Sequence, residues 1–198
     1  DGSGFGGFGG FGGHGSAGFD QKGQDLNASV SVTFDEAAFG CDKRITLQDQ
    51  SGKAQTLEVH IPAGIDSGKS IRLRGKGMPG TGKGGAGDLL LKVTVQPKAG
   101  YERKGMDVYT TVSIPYTTAV FGGEARVHTL YGDVMCKIKE GTQSGSKIRL
   151  RGKGIVSMKD ANVHGDQYVT VQIQVPRHLN AEARQKLMEY KKAAAGGR

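Results

Sequence analysis

The chain has 198 residues, a formal net charge of +8, 36 % hydrophobic and 23 % charged residues; no apolar run approaches the ~18 residues that span a bilayer, so a soluble protein is expected. Two cysteines, Cys41 and Cys136, lie far apart, which argues against a disulfide framework and for a reducing compartment, the cytoplasm. With no Cys-x-x-Cys and with histidines scattered singly, structural zinc is excluded on ligand count.

Residues 1–23 hold eleven of the 34 glycines and four phenylalanines set among Gly and small residues. Such a segment loses too much backbone entropy on ordering for isolated rings to offset, and a flexible tail is expected. No basic stretch followed by an apolar segment opens it, so no secretory signal is read. Beyond it, apolar residues alternate with polar ones: Val30, Val32 and Phe34, then Leu57, Val59 and Ile61. Period two predicts half-buried strands, the first running on into "FDEAAFG".

"IRLRGKG" at Ile71 to Gly77 predicts a strand with Ile71 and Leu73 inside and Arg72 and Arg74 outside, ended by a turn at Gly75 and Gly77. The same seven residues recur at Ile148 to Gly154, within 17-residue stretches from Ile61 and Ile138 that agree at 11 positions. "AFG" at Ala38 is matched by "VFG" at Val120, and "GDLLLKVTVQP" at Gly87 by "GDQYVTVQIQVP" at Gly165. A unit of about 77 to 82 residues is the size of a small domain with its own core. Val171, Ile173 and Val175 continue the alternation in the second copy, and Pro97 and Pro176 close the last strand of each.

After the second copy the period changes. Leu179, Ala183, Leu187 and Tyr190 fall on one helical face, Asn180 is a candidate N-cap, Glu182 stands in the first turn, Lys191 and Lys192 in the last, and Gly196 stops the helix. This helix has no counterpart after the first copy, which favours a partner-binding or self-association role. The expected fold is therefore mainly β, two tandem homologous β-sandwich-like domains followed by a short C-terminal helix. The expected boundaries are a Gly/Phe-rich segment at 1–23, domain I at 24–100, domain II at 101–176 and a dimerisation helix and tail at 177–198.

Two loop motifs carry no nucleotide. "GKGMPG" at Gly75 satisfies Gly-x-Gly-x-x-Gly, but Pro79 and the glycines after it forbid the helix that motif needs. "GIDSGKS" at Gly64 is one residue short of a phosphate-binding loop and runs into a strand, so it and its twin "GTQSGSK" are read as hairpin turns. No nucleophile or metalloprotease constellation is present, and His60 and His128 fall on polar strand faces; an enzyme is not expected, nor any cofactor.

The Gly/Phe-rich tail followed by "FDEAAFG", "LEVHIPAGIDSGKSIRLRGKGMPG", "GDLLLKVTVQPKAGYERKGMDVY", "SIPYTTAVFGGEARVHTLYG" and "GTQSGSKIRLRGKG" resembles the C-terminal part of DnaJ-type J-domain co-chaperones, from residue 1 to about 190. The resemblance implies two similar β-rich substrate-binding domains, a C-terminal dimerisation helix giving a homodimer, and delivery of unfolded polypeptide clients to a DnaK-type ATPase chaperone, with no membrane partner. The His-Pro-Asp triplet of that family's J-domain is absent from these residues, so a fragment without ATPase stimulation is expected. Where zinc-bearing members insert Cys-x-x-Cys-x-Gly-x-Gly units, only "LQDQSGKAQ" joins the strand ending near Leu47 to the strand beginning at Leu57, which resembles the zinc-free class.

Unfolded chains share exposed apolar side chains and unpaired backbone groups, which an edge strand beside an apolar groove can satisfy together. Carried over from the resembled family, the lining of such a groove falls on Ala28, Val30, Ile45, Leu47, Leu57 and Tyr101. The same residues also read as an ordinary half-buried sheet. Lys43 and Arg44 are implied to attract an acidic tail of the partner chaperone, or else form a charged edge that discourages aggregation. A nucleic-acid-binding module is the main alternative on charge, although no aromatic is interleaved in "IRLRGKG" and no basic helix is available for a groove. A purely structural dimer scaffold is the third reading.

Overall fold

The computed structural model describes residues 18–48 and 52–197. The elements of the first copy are β1 (Leu26–Val32), α1 (Phe34–Phe39), β2 (Cys41–Gln48), β3 (Ala54–Ile61), β4 (Ser70–Leu73) and β5 (Leu89–Val95). Those that follow are β6 (Glu102–Lys104), β7 (Asp107–Pro115), α2 (Tyr116–Phe121), β8 (Gly123–Thr129), β9 (Gly132–Ile138), β10 (Lys147–Leu150), β11 (Gln167–Gln174) and α3 (Ala181–Ala195). Leaving out β6 and α3, the second series repeats the first element for element. The sheet orders repeat too, β1-β5-β4 against β11 flanked by β7 and β10, and each copy adds a two-stranded sheet, β2-β3 or β8-β9. The fold is mainly β, as the alternation predicts.

The chain divides into two compact units, one of residues up to 31 with 67–94 and the other of residues 32–66 with 95–198. In the first unit, β4 pairs antiparallel with β5, with Ile71 opposite Leu91, and Leu89, Leu91 and Val93 are fully buried. Residues 18–25 run along the Gly-rich loop before β5: Gly23 N–H donates to Gly85 O, Met78 N–H to Gln24 O and Thr81 N–H to Gln21 O. The loop can come this close because its partner is glycine; a β-carbon on Gly23 would collide with the Met78 carbonyl. The end of the expected flexible segment is thus held by backbone hydrogen bonds, while residues 1–17 lie outside the described residues.

In the second unit, β11 pairs in parallel with β7 and antiparallel with β10. Its inner face meets the β8–β9 hairpin. Ile114 and Val171 pack with Ala125, Ile138 and Ala119 of α2, and Val169 packs with Val127 and Cys136. These two apolar layers form a sandwich-like core of the kind period-two strands require. A separate cluster joins Phe34 and Ala38 of α1 to Val108 and Ile155. Arg103 on β6 pins the segment after β3, its guanidinium donating to Ile65 O at 2.6 Å, Gly64 O at 2.7 Å and Gly105 O at 2.8 Å.

Three expectations need correction. "FDEAAF" is the helix α1 and not an extension of β1: Thr33 caps it, accepting from Glu36 N–H at 3.1 Å while Glu36 accepts from Thr33 N–H at 2.9 Å. That reciprocal box satisfies two amide donors at once and overrides the alternation that ends in Phe34. "GIDSGKS" and "GTQSGSK" are not hairpin turns, because β3 and β4, like β9 and β10, belong to different sheets; alternation identifies strands but not their partners. Val175 is 79 % exposed, since β11 ends at Gln174.

Candidate functional site

The β2–β3 hairpin belongs to the second unit. Cys41, Lys43, Ile45 and Leu47 are half-buried on one face of β2, while Asp42, Arg44, Thr46 and Gln48 are exposed. Leu57, Val59 and Ile61 of β3 are buried, and the register sets Ile45 opposite Leu57 and Leu47 opposite Gln55. In a two-stranded sheet each strand keeps one edge outside the ladder, here beside an apolar face covered only in part. Such an edge can take an extended peptide by main-chain hydrogen bonds and seat its alternate side chains.

Tyr101, just ahead of β6, lies in the α1 cluster. Its ring is 5.9 Å from that of Phe34, and Lys98 Nζ is 5.3 Å above it. Burial pushes its phenol up from the ordinary value. Ala28, half-buried, and Val30, buried, share one face of β1 in the first unit. The structure thus brings Ile45, Leu47 and Leu57 together on the hairpin, Ala28 and Val30 together on β1, and Tyr101 into a cluster with Phe34.

Of the two candidate tail-binding cations, Lys43 is already engaged. Its ammonium is 3.0 Å from Glu36. The Thr33 amide and then Lys43 hold the Glu36 carboxyl down at about 2, far below its ordinary 4.5. Arg44 is exposed and stands opposite Glu58 in the ladder.

The repeated heptad conceals a feature that the sequence reading missed. Arg72 does not simply point to solvent; its guanidinium donates to Asp88 at 2.9 Å, and the same carboxylate accepts from Gly75 N–H at 3.1 Å. In the second copy Asp166 accepts from the Arg149 guanidinium at 2.8 Å and from Gly152 N–H at 2.9 Å. Both carboxyls are held below the usual aspartate range, first by the glycine amide and then by the arginine. The signal was the "GD" that follows both copies.

On α3, Asn180 accepts from Ala183 N–H at 2.7 Å as the N-cap, and Gly196 closes the helix. None of its residues is buried. Leu179 and Ala183 are half-buried, whereas Leu187 and Tyr190 are exposed. The four line one wall of an apolar cleft whose other wall is Tyr116, Val120 and Phe121 of α2 with Ile173 and Val175. The Tyr116 and Tyr190 hydroxyls meet at 2.7 Å across it.

Among the described residues no group of three His, Cys, Asp or Glu is placed to hold a metal ion, and no helix is long and apolar enough to cross a membrane. Comparison with known proteins supplies the remaining observation. Residues 26–176 match the family model described as DnaJ C terminal domain. The chain is 45 % identical over 142 residues to "Chaperone protein DnaJ" of Lachnospira eligens, covering 72 % of this chain and 38 % of that protein. It is 45 % identical over 145 residues to the proteins of the same description in Burkholderia pseudomallei and Burkholderia thailandensis, covering 73 % of this chain and 38 % of each. The chain thus spans well under half the length of these relatives.

Proposed function

Since the chain belongs to the DnaJ C-terminal domain family, a family of chaperones and not of enzymes, we propose that it holds non-native polypeptide on the first repeat, for transfer to a DnaK-type ATPase chaperone. The observation that carries this reading is the β2–β3 hairpin, which combines an unpaired strand edge with half-buried Ile45 and Leu47 beside Leu57. The guest adds as a strand, its amides and carbonyls pairing with the edge and its alternate side chains covering the apolar face. The family resemblance adds Ala28, Val30 and Tyr101 to the lining and Arg44 and Lys43 as contacts for an acidic tail. Lys43 reaches such a tail only by exchanging Glu36 for it, so Arg44 is the more available cation.

Dimerisation through α3 belongs to the same reading, with the Leu179, Ala183, Leu187 and Tyr190 stripe finding its cover on a second copy. The proposed domain division, with the first repeat at 24–100 and the second at 101–176, follows from the duplication. The test is suppression of aggregation of a chemically denatured protein, without nucleotide, at low and moderate salt. Suppression that survives the added salt is expected, because an apolar groove is little screened. Binding to single-stranded nucleic acid that collapses over the same salt range, with no suppression, would instead favour the basic module.

A further inference from the structure

The strands of the two repeats equate residue by residue, and the equivalence exposes a difference beside the hairpin that a guest strand would join. Ala28, Ile45, Leu47 and Leu57 of the first repeat correspond to Thr110, Val127, Thr129 and Val134 of the second, and Leu89 corresponds to Gln167. The ladders keep the equivalence: Ile45 faces Leu57 on β2–β3, and Val127 faces Val134 on β8–β9. Leu89 and Gln167 are both fully buried. Leucine has nothing to donate. Gln167 Nε2 donates to Thr110 Oγ1 on β7 at 2.9 Å and to the main-chain carbonyl of His128 on β8 at 3.0 Å.

A guest adding to β8 needs edge carbonyls free and apolar seats beside them. Here the acceptor at His128 is taken by an internal side chain. Thr110 and Thr129 stand where the first repeat has Ala28 and Leu47, and the Thr129 hydroxyl is tied into its own turn, accepting from Tyr131 N–H at 3.1 Å. Gln167 Oε1 is buried and has no partner among the described residues. An unmet buried acceptor destabilises a fold, so stability alone does not account for glutamine at a site where its counterpart is leucine.

We propose that Gln167 is the specificity-determining residue that closes the second repeat to clients. It ties β8 to β7 and β11, and leaves the first repeat as the one strand-accepting site per chain. The inference rests on the reading of the first repeat given above. The experiment measures the binding stoichiometry of a fluorescein-labelled peptide alternating Leu and Thr, with amide exchange mapped at saturation. It uses the parent chain, Leu47→Ser, Gln167→Leu with Thr129→Leu, and the isosteric Gln167→Met, which removes the donor with little change of volume.

The Gln167→Leu, Thr129→Leu variant is expected to gain one peptide per chain over the parent, with new exchange protection on residues 123–129, and Gln167→Met to gain that protection more weakly. No gain in either folded variant overturns the proposal. So does protection of 123–129 by peptide in the parent, a measurement that requires no variant to fold. Failure of the underlying reading appears elsewhere, as unchanged peptide affinity in Leu47→Ser. If the parent takes no peptide, the lock still shows as a rise from zero to one.

Discussion

Asp88 and Asp166 occupy equivalent places in the two repeats, and each accepts a glycine amide beyond the end of the preceding strand while neutralising an arginine on that strand, 16 and 17 residues away. A carboxylate that accepts a backbone N–H and an arginine favours its charged form, so its contribution to stability disappears on protonation. Glu36 sharpens the point. Its folded value of about 2 lies below its ordinary 4.5, so it stabilises the fold fully above about pH 4.5 and loses that contribution as pH falls toward 2. Denaturation midpoints measured from pH 5 down to 2 should therefore decline less steeply in Glu36→Gln than in the parent; equal slopes would remove Glu36 from the acid response. Arg103 makes a different prediction. Its side chain is only 11 % exposed and grips three main-chain carbonyls, and charged hydrogen bonds of this kind contribute roughly 1.5–3 kcal/mol. Arg103→Ala should lower unfolding free energy by about that amount, and Arg103→Lys should recover only part of it, because an ammonium lacks the planar fork.

At the scale of elements, the β2–β3 hairpin and α3 share one condition, an apolar face that this chain leaves partly uncovered. For the hairpin the proposed consequence is client affinity. Leu47→Ser removes part of one apolar seat, worth about 1.5 kcal/mol or roughly tenfold in affinity, and should weaken peptide binding by that factor in fluorescence anisotropy with the melting temperature unchanged. Thr129→Ser, at the equivalent position of the second repeat, should leave affinity alone. For α3 the proposed consequence is assembly. None of its 15 residues is fully buried, and an isolated helix of that length is marginal in water. Deleting residues 179–198 should convert a dimer into a folded monomer that still binds short peptides but protects large clients poorly, since two grooves on one particle raise the effective concentration at the second. Sedimentation decides it: a monomeric parent at tens of micromolar, or a dimeric truncation, would remove the helix from the interface.

For the whole molecule, duplication is the organising fact, and the copies differ at positions where function is proposed. The strand order, the capping of strand ends by Asp and Gly, and the burial of alternate positions on β5 and β11 recur. The side chains do not all recur, since half-buried Leu47 and buried Leu89 of one copy are Thr129 and Gln167 of the other. The net charge of +8 shapes encounter with acidic partners and is screened within about 8–10 Å at physiological salt, whereas the apolar face is insensitive to it. Salt titration of client binding is thus the measurement that distinguishes a groove from a charged surface.

The sequence by itself determined the family, the duplication, the mainly β character and the C-terminal helix with its Asn180 cap, because these rest on local period and on repeated strings of residues. The burial of Leu57, Val59 and Ile61 followed directly from their alternation. The short helices α1 and α2 escaped it: six residues are too few for a 3.6 period to show, although Thr33-x-x-Glu36 was a readable start signal for the first. Only the tertiary structure decided that Arg72 and Arg149 are latched to Asp88 and Asp166, that β3 and β4 lie in different sheets, and that Gln167 reaches β7 and β8. Each of these joins residues distant in the chain, and strand alternation states which way a side chain faces but not what stands opposite it.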